Sequence, residues 1–328
     1  MSPVSISTHP ISTTGQKRRR SESPPRNCKR LARPHPTRFL VVADTHDSKA
    51  LSESHPHCDV LLHCGDLTED GSPESLAAAI ENLGAVKAEL KLVIPGNHEL
   101  SLDKAYYLQE GGKLEDYQKS KDLAYGEFAK AKGVTFLEEG THQFTLKSGA
   151  KFRIYASPYT PTYGASAFQY PSREDRFNPS DNTPEWGENL STETSRIPQD
   201  VDIVMTHGPP KYFLDATPDG RNAGCEHLRE AIIRVRPRLH CFGHIHCGYG
   251  AQRLDWKSPA KTNDSRPFIT IPKEWVGKNQ AKKKGYSALP PGSVEDMGRK
   301  VQTLLVNAAV MDGNGEPSNM PWVVDLDL

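Results

Sequence analysis

Residues 38–47 read RFLVVADTHD, an apolar, largely β-branched run through Ala43 followed at once by a carboxylate and an imidazole, Asp44 and His46. The same design recurs along the chain. Asp59–His63 (DVLLH) leads to Gly65-Asp66, and Lys91–Pro95 (KLVIP) leads to Gly96-Asn97-His98-Glu99. Asp202–Thr206 (DIVMT) runs into His207-Gly208-Pro209, and Leu239–Phe242 into Gly243-His244-Ile245-His246. Continuous apolar runs of this length suit strands covered on both faces. Polar residues just beyond the carboxyl ends of such strands are where open α/β sheets hold ligands. The recurring unit therefore predicts an α/β fold whose strand ends converge on one crevice.

The segments between the runs supply helices. Ser72-Pro73-Glu74 has the form of an N-cap, a first-turn proline and an early acid, and Leu76, Ile80, Leu83, Val86 and Leu90 follow at helical spacing. An amphipathic helix is predicted over Pro73–Leu90. Further helices are predicted over Tyr117–Lys132, stopped by Gly133, and over Cys225–Val235, closed by Pro237. Short strands are expected at Val134–Leu137, Gln143–Leu146 and Phe152–Ala156, with Ser148-Gly149 turning between the last two. Thr303–Val310 and Trp322–Leu326 read as two strands around the turn Asp312-Gly313-Asn314-Gly315.

Composition narrows the class. Of 328 residues, 36% are hydrophobic, enough for a substantial core without disulfides. The apolar runs are too short for a membrane span, and no charged-then-apolar signal segment opens the sequence. Six cysteines without C-x-x-C spacing read as reduced thiols rather than a zinc finger, so a cytoplasmic or nuclear setting is expected. The net charge of zero conceals an uneven distribution: residues 1–36 hold eight Lys/Arg against one Glu, and the remainder 33 basic against 40 acidic residues. Rich in Ser and Pro, residues 1–36 read as a disordered tail ahead of a single domain over 37–328. Lys17-Arg18-Arg19-Arg20 and Lys29-Arg30 read either as an import signal or weak nucleic-acid contact, or as a solvated tail without a receptor. Ser21 and Ser23 beside the arginines are candidate phosphorylation sites. Residues 160–198 and 254–298 lack periodicity and are expected to be long loops, the second carrying Lys282-Lys283-Lys284.

Carboxylate, amide and imidazole side chains without thiolates suit divalent ions such as Mn, Fe or Zn. Two such ions a few ångströms apart form a common device for in-line attack on phosphorus. Asp44 and His46 can share one ion if the backbone turns between them, and Asp66 is the natural bridge between two. Singly, these fragments are common. Five of them in order, each after a predicted strand, are not.

Their order resembles the calcineurin-like metallophosphoesterase superfamily, and most closely its metallophosphoesterase-domain (MPPED) branch, akin to class III cyclic nucleotide phosphodiesterases. The resemblance is carried by ADTHD (43–47), GDLTE (65–69), GNHELSLD (96–103), MTHGPP (205–210) and FGHIHCGYG (242–250), with KFRIYASPYTP (151–161), GCEHL (224–228) and NAA (307–309). It implies a four-layer αββα sandwich of two mixed β-sheets flanked by helices. It also implies two divalent ions, one held by Asp44, His46 and His246, the other by Asn97, His207 and His244, with Asp66 on both. His98 would protonate the leaving oxygen, oriented by Glu99 or Glu69, after a hydroxide bridging the ions attacks phosphorus. The implied partner is a small phosphoester.

The sequence departs from the protein Ser/Thr phosphatases of that superfamily. Where they carry arginines, this chain has Glu69-Asp70-Gly71 and Ile94-Pro95. The departure favours small phosphodiesters such as cyclic nucleotides over phosphoproteins, with a broad phosphomonoesterase or a low-turnover scaffold as the alternatives. Among the remaining histidines, His63 reads as a packed structural residue, His55 and His57 as solvated, and His227 and His240 as lying on a helix and a strand. Tyr249 and Arg253, just past the last motif, could touch substrate or lie on the surface.

Overall fold

Each of the five apolar runs forms a strand, and the pleat explains why all of them are apolar throughout. In the computed structural model, which describes residues 36–48, 51, 55–256, 268–271, 284, 286–289 and 301–328, Phe39 and Val41 point to one side of their strand, and Leu40 and Val42 to the other. Both sides are core. The expectations for the basic tail and the Lys282-Lys283 pair lie outside the described residues.

In chain order the strands are β1 (Pro36–Val42), β2 (Val60–His63), β3 (Leu90–Val93), β4 (Val134–Phe136), β5 (Gly140–Thr145), β6 (Lys151–Ser157), β7 (Thr160–Pro161), β8 (Gln169–Tyr170), β9 (Glu174–Asp175), β10 (Glu188–Asn189), β11 (Ile203–Thr206), β12 (Leu239–Phe242), β13 (Gly250–Asp255), β14 (Phe268–Ile271), β15 (Ser287–Ala288), β16 (Gln302–Asn307) and β17 (Trp322–Asp327). The helices are α1 (Pro73–Ala85), α2 (Lys104–Gln109), α3 (Leu114–Tyr125), α4 (Glu127–Ala131) and α5 (Glu226–Val235). One sheet has the order β15-β17-β1-β2-β3-β4 and the other β14-β13-β16-β12-β11-β6-β5. Both are mixed: β1 to β4 run parallel with β17 antiparallel to β1, and β6, β11, β12 and β16 run parallel between antiparallel β5 and β13.

Phe39, Val41 and Leu62 from the first sheet pack on Phe152, Ile154 and Met205 from the second. Phe39 meets Phe152 edge to face, with ring centroids 5.6 Å apart. Outside this layer, Leu40 and Val42 face Leu76, Ile80 and Leu83 of α1. On the far side, Tyr155, Val204 and Leu305 face Leu228, Ile232 and Val235 of α5. The layers are therefore helix, sheet, sheet, helix. Burial of each large side chain is worth roughly 1.5–3 kcal/mol, so these three layers of contact dominate over exposed ion pairs such as Arg38–Asp325. No helix among the described residues is long and apolar enough to cross a membrane.

Several elements differ from expectation. Helix α1 is capped by Ser72 as predicted, but it ends at Ala85 rather than Leu90. Residues 86–90 instead lead into β3, where Glu89 and Leu90 donate their N–H groups to the Asp59 carbonyl. The helix expected over Tyr117–Lys132 is two, α3 and α4, broken at Gly126. Helix α2 has no buried residue, so no apolar period announces it; the Asp103 side chain caps it by accepting the N–H of Tyr106. Strands β16 and β17 do not pair around the turn at 312–315. They belong to different sheets, and the chain crosses between them beside the bridge Ala43–Ala309. The stretch 160–198 is ordered by two short ladders, β7 with β8 and β9 with β10, and by buried Phe177 and Ile197.

Candidate metal centre

The carboxyl ends of β1, β2, β3, β11 and β12 open onto one place. Beyond β1 the backbone turns left-handed at Asp44 (φ 51°), His46 (φ 40°) and Asp47 (φ 61°). Such conformations are unfavourable for residues with a Cβ and persist only when the surroundings hold them. Here the N–H groups of Thr45 and His46 both donate to the Asp66 carbonyl, at 2.9 and 3.1 Å, and Asp44 N–H donates to Gly65. The turn is what allows Asp44 and His46 to face the same point. Gly65 (φ 97°) is required for the close approach of the loops, because a Cβ there would lie 2.6 Å from His207 Nδ1.

The structure brings all the sequence-derived residues together. Asp44, His46 and His246 offer atoms within 4.8 Å of one another, as do Asp66, His207 and His244. Asp66 lies between the two groups, its Oδ2 3.7 Å from His46 Nε2 and 3.3 Å from His207 Nε2. Asn97 Oδ1 is 2.8 Å from His207 Nε2. His98 is half-buried, its ring 4.6 Å from that of His46 and its backbone N–H donating to Asp66 Oδ1. Asp44 accepts the N–H of His244 with both oxygens, at 3.0 and 2.9 Å. A third group, His46, Glu69 and His98, meets the same distance limit and shares His46.

The electrostatics favour a cation at this point. His207 Nδ1 lies 2.9 Å from the Cys64 carbonyl, so its N–H points there and Nε2 is left to face the oxygens of Asn97 and Asp66. Three such atoms face one another only if something positive lies between them. In the protein alone a proton serves. Burial opposes a charged ring, yet Asp66 and Asp44 outweigh it and raise the His207 pKa to about 9. Asp66 is held below the ordinary carboxylate range despite complete burial, because His207, His98 and His46 surround it. Asp44 is likewise lowered against the effect of burial, by His246 and His207. His244 is pushed down to about 4, by burial first and by His207 next, which leaves it neutral and able to donate a lone pair. His46 Nε2 is buried without a hydrogen-bond partner. Carboxylates, imidazoles and an amide oxygen turned toward one point fit divalent metal, which would take the place of the proton held at His207.

The two glutamates behave differently from expectation. Glu99 spends its carboxylate on backbone and hydroxyl donors. Its buried carboxylate accepts the N–H groups of Asp66 (3.0 Å), Gly96 (2.6 Å) and Thr68 (2.9 Å), and the Thr68 hydroxyl (3.0 Å), so it stitches the loop after β2 to the loop after β3. Burial and Asp66 push its pKa up to about 7 against those donors. Glu69 does meet His98, but through its backbone carbonyl, 2.8 Å from Nδ1, while its carboxylate lies 2.7 Å from His46 Nδ1. The motif spacing places both residues near the centre; only the loop geometry reveals which atoms they use.

The outer histidines sort by tertiary contact. His63 is buried with Nε2 3.0 Å from the Thr45 hydroxyl, and His240 is buried 2.9 Å from the Thr206 hydroxyl. His57 is exposed, His55 half-buried. His227 has an acidic neighbour, Asp175, at 3.6 Å, from a segment fifty-two residues earlier. Tyr249 is half-buried, and its hydroxyl meets Ser287 and the Met320 carbonyl at 2.6 and 2.7 Å.

A cavity of about 760 Å³ opens beside His244 and His246. Besides the motif residues His244–Cys247 and Gly224–Glu226, its walls include Tyr163 just after β7, Trp186 just before β10, Lys211 and Arg221 from the stretch before α5, and Gly313. Ser166 fastens the segment after β7 to the centre, accepting the Asn97 side-chain N–H at 3.0 Å and donating to the Asn97 carbonyl at 2.7 Å.

Known proteins are similar to this chain in sequence. A protein of Emericella nidulans named probable rhamnogalacturonate lyase C is 37% identical over 221 residues, covering 67% of this chain and 18% of that one. Human metallophosphoesterase domain-containing protein 1 is 36% identical over 228 residues, covering 65% of this chain and 62% of the human protein. A 3',5'-cyclic-nucleotide phosphodiesterase of Nostoc sp. is 26% identical over 222 residues, covering 66% of this chain and 64% of its own. The chain thus spans less than two thirds of each of these relatives. The sequence model of the family described as calcineurin-like phosphoesterase matches residues 37–248, which contain every residue of the centre. The chain belongs to the calcineurin-like phosphoesterases, a metal-dependent family of hydrolases.

Proposed function

We propose that this protein is a dinuclear metal-dependent phosphodiesterase acting on small phosphodiesters of the cyclic-nucleotide kind. The observation that carries this reading is the place of Asp66, within 3.7 Å of His46 on one side and 3.3 Å of His207 on the other, as a single carboxylate shared by two ligand groups. Asp44, His46 and His246 would hold one divalent ion, Asn97, His207 and His244 the other, and Asp66 both. Two ions so held would supply Lewis-acid stabilisation of the phosphoryl oxygens and a water of lowered pKa.

The chain's own residues do the rest. Asn97, fixed through Ser166, keeps its amide oxygen aimed at the centre. His98, with Nδ1 held by the Glu69 carbonyl, keeps Nε2 for delivering a proton to the departing alkoxide as general acid. The resemblance to the cyclic-nucleotide phosphodiesterase of Nostoc and the absence of the two phosphatase arginines support a diester over a phosphoprotein.

The test is metal analysis of the purified protein together with Mn-supplemented hydrolysis of bis(4-nitrophenyl) phosphate and 4-nitrophenyl phosphate. The expected result is about two metal equivalents, faster turnover of the diester, and loss of both metal and activity in Asp66→Asn. Faster turnover of the monoester would replace the diester assignment with a phosphomonoesterase. Full metal occupancy with neither ester cleaved would favour a scaffold.

A further inference from the structure

Trp186 is 56% exposed and lies in a turn just before β10. One face of its indole stacks on the imidazole of His227, with centroids 4.5 Å apart and planes at 28°. His227 is fully buried behind it. The next residue must be glycine, because a Cβ at position 187 would lie 2.7 Å from the His227 ring. The surrounding loop is bound down on both sides. Gly187 N–H donates to the Pro184 carbonyl, Thr183 donates its hydroxyl to the buried Asp175, and Asn189 donates to both Thr183 and the Asn178 carbonyl. With one face covered, the exposed area of the indole is its other face and edges, and these line the cavity that also contains His244 and His246. Tyr163, 78% exposed, lines the same cavity.

A rigid aromatic side chain with one free face in a cavity is prepared for a second planar ring, since little conformational entropy is lost on stacking. The charges of the wall point to a neutral partner. Lys211 Nζ is 3.3 Å from Glu226, and Arg221 is 2.6 Å from Asp219, so both wall cations are matched by carboxylates of the same wall. Nothing in that pairing calls for a second phosphate. The cavity volume falls within the range of about 300–1,000 Å³ typical of small-molecule sites.

We propose that Trp186 is the specificity-determining residue of this site, and that it stacks a neutral planar aromatic group of nucleobase type carried by the phosphoester. This inference rests on the phosphoesterase reading and adds the residue that would hold the group beyond the phosphate. Trp186 acts on binding, not on the reacting atoms.

The measurement is inhibition of bis(4-nitrophenyl) phosphate hydrolysis by adenosine, which is planar and uncharged, with ribose as the control, in the native protein, Trp186→Ala and Trp186→Phe. Adenosine is expected to compete while ribose does not. Trp186→Ala should raise the adenosine inhibition constant about 10-fold, the order expected for loss of one base–aromatic stack, with its effect on hydrolysis falling on KM rather than kcat. Trp186→Phe should restore the constant to within about threefold. Equal inhibition by adenosine and ribose, or an unchanged constant in Trp186→Ala, would overturn the assignment while leaving the phosphoesterase reading intact. If the protein hydrolyses no phosphoester, the platform is read separately by quenching of indole fluorescence. Quenching by adenosine in the native protein and its absence in Trp186→Phe supports stacking; no quenching in either overturns it.

Discussion

The carboxylate of Glu99 accepts the backbone N–H of Asp66 at 3.0 Å, thirty-three residues away in sequence. Its remaining bonds, to Gly96 and Thr68, make it the tie between two loops that each present a residue to the metal centre. Leaving buried donors unpaired costs about 1–3 kcal/mol each. Glu99→Ala should therefore destabilise the fold by on the order of 3 kcal/mol and weaken metal binding about 10–100-fold, as loss of an outer support does. Urea denaturation and metal titration check both. A variant with native midpoint and native metal content would show that the loops hold their shape without this tie.

His98 is proposed as the acid rather than as a ligand because its Nδ1 is committed to the Glu69 carbonyl. General acids contribute about 10²–10⁴-fold, and only where the leaving group needs a proton. His98→Ala should accordingly slow turnover of an alkyl-leaving diester by at least about 100-fold, yet affect a nitrophenyl ester far less. Steady-state rates on the two substrates give the comparison. Equal losses on both would remove the acid role.

Metal uptake should expel protons. With a pKa of about 9 in the protein alone, His207 is protonated at neutral pH, and an incoming cation must take the place of that proton. Near pH 7 we expect release of roughly one proton from this ring per centre filled, and an apparent affinity that rises with pH until about pH 9. Calorimetry in buffers of different ionisation enthalpy counts the protons. Uptake without release would contradict the place given to His207.

Acid stability should carry the signature of His240. Burial lowers its pKa from 6.5 to about 3, so the folded state excludes a proton that the unfolded chain binds. For a base with a depressed folded pKa the stabilisation is complete above pH 6.5 and is lost as pH falls toward 3. His63, lowered to about 4 by burial, acts in the same direction. Within this window each such group contributes a slope of about 1.4 kcal/mol per pH unit. Replacing His240 by Gln, which can still meet the Thr206 hydroxyl, should reduce the slope by about that amount. Denaturation midpoints between pH 6.5 and 4 provide the test, and an unchanged slope would exclude His240.

The centre was legible in the sequence because strands buried on both faces must be apolar throughout. The first polar residues after RFLVVA, DVLLH and DIVMT therefore mark strand ends, and parallel strands put those ends on one edge. The helix limits were less legible. Nothing in the local pattern distinguishes residues 86–90 as a helical turn from the same residues as an approach to β3; the Asp59 carbonyl decides. Helix α2 was invisible because it buries nothing.

By itself, then, the sequence marked the buried strands and the polar residues at their ends, since both depend on short-range alternation between apolar runs and polar ends, while the two-sheet sandwich and the sharing of those residues between two ions are what its family resemblance implies. Only the tertiary structure decided that Glu99 is a tie, that Glu69 serves His98 through its carbonyl, and that Trp186 lies over His227 beside the centre. Each of those relations joins atoms from distant segments, and a hydrogen bond or a ring stack is set by the position and direction of both partners. No spacing along the chain encodes that geometry.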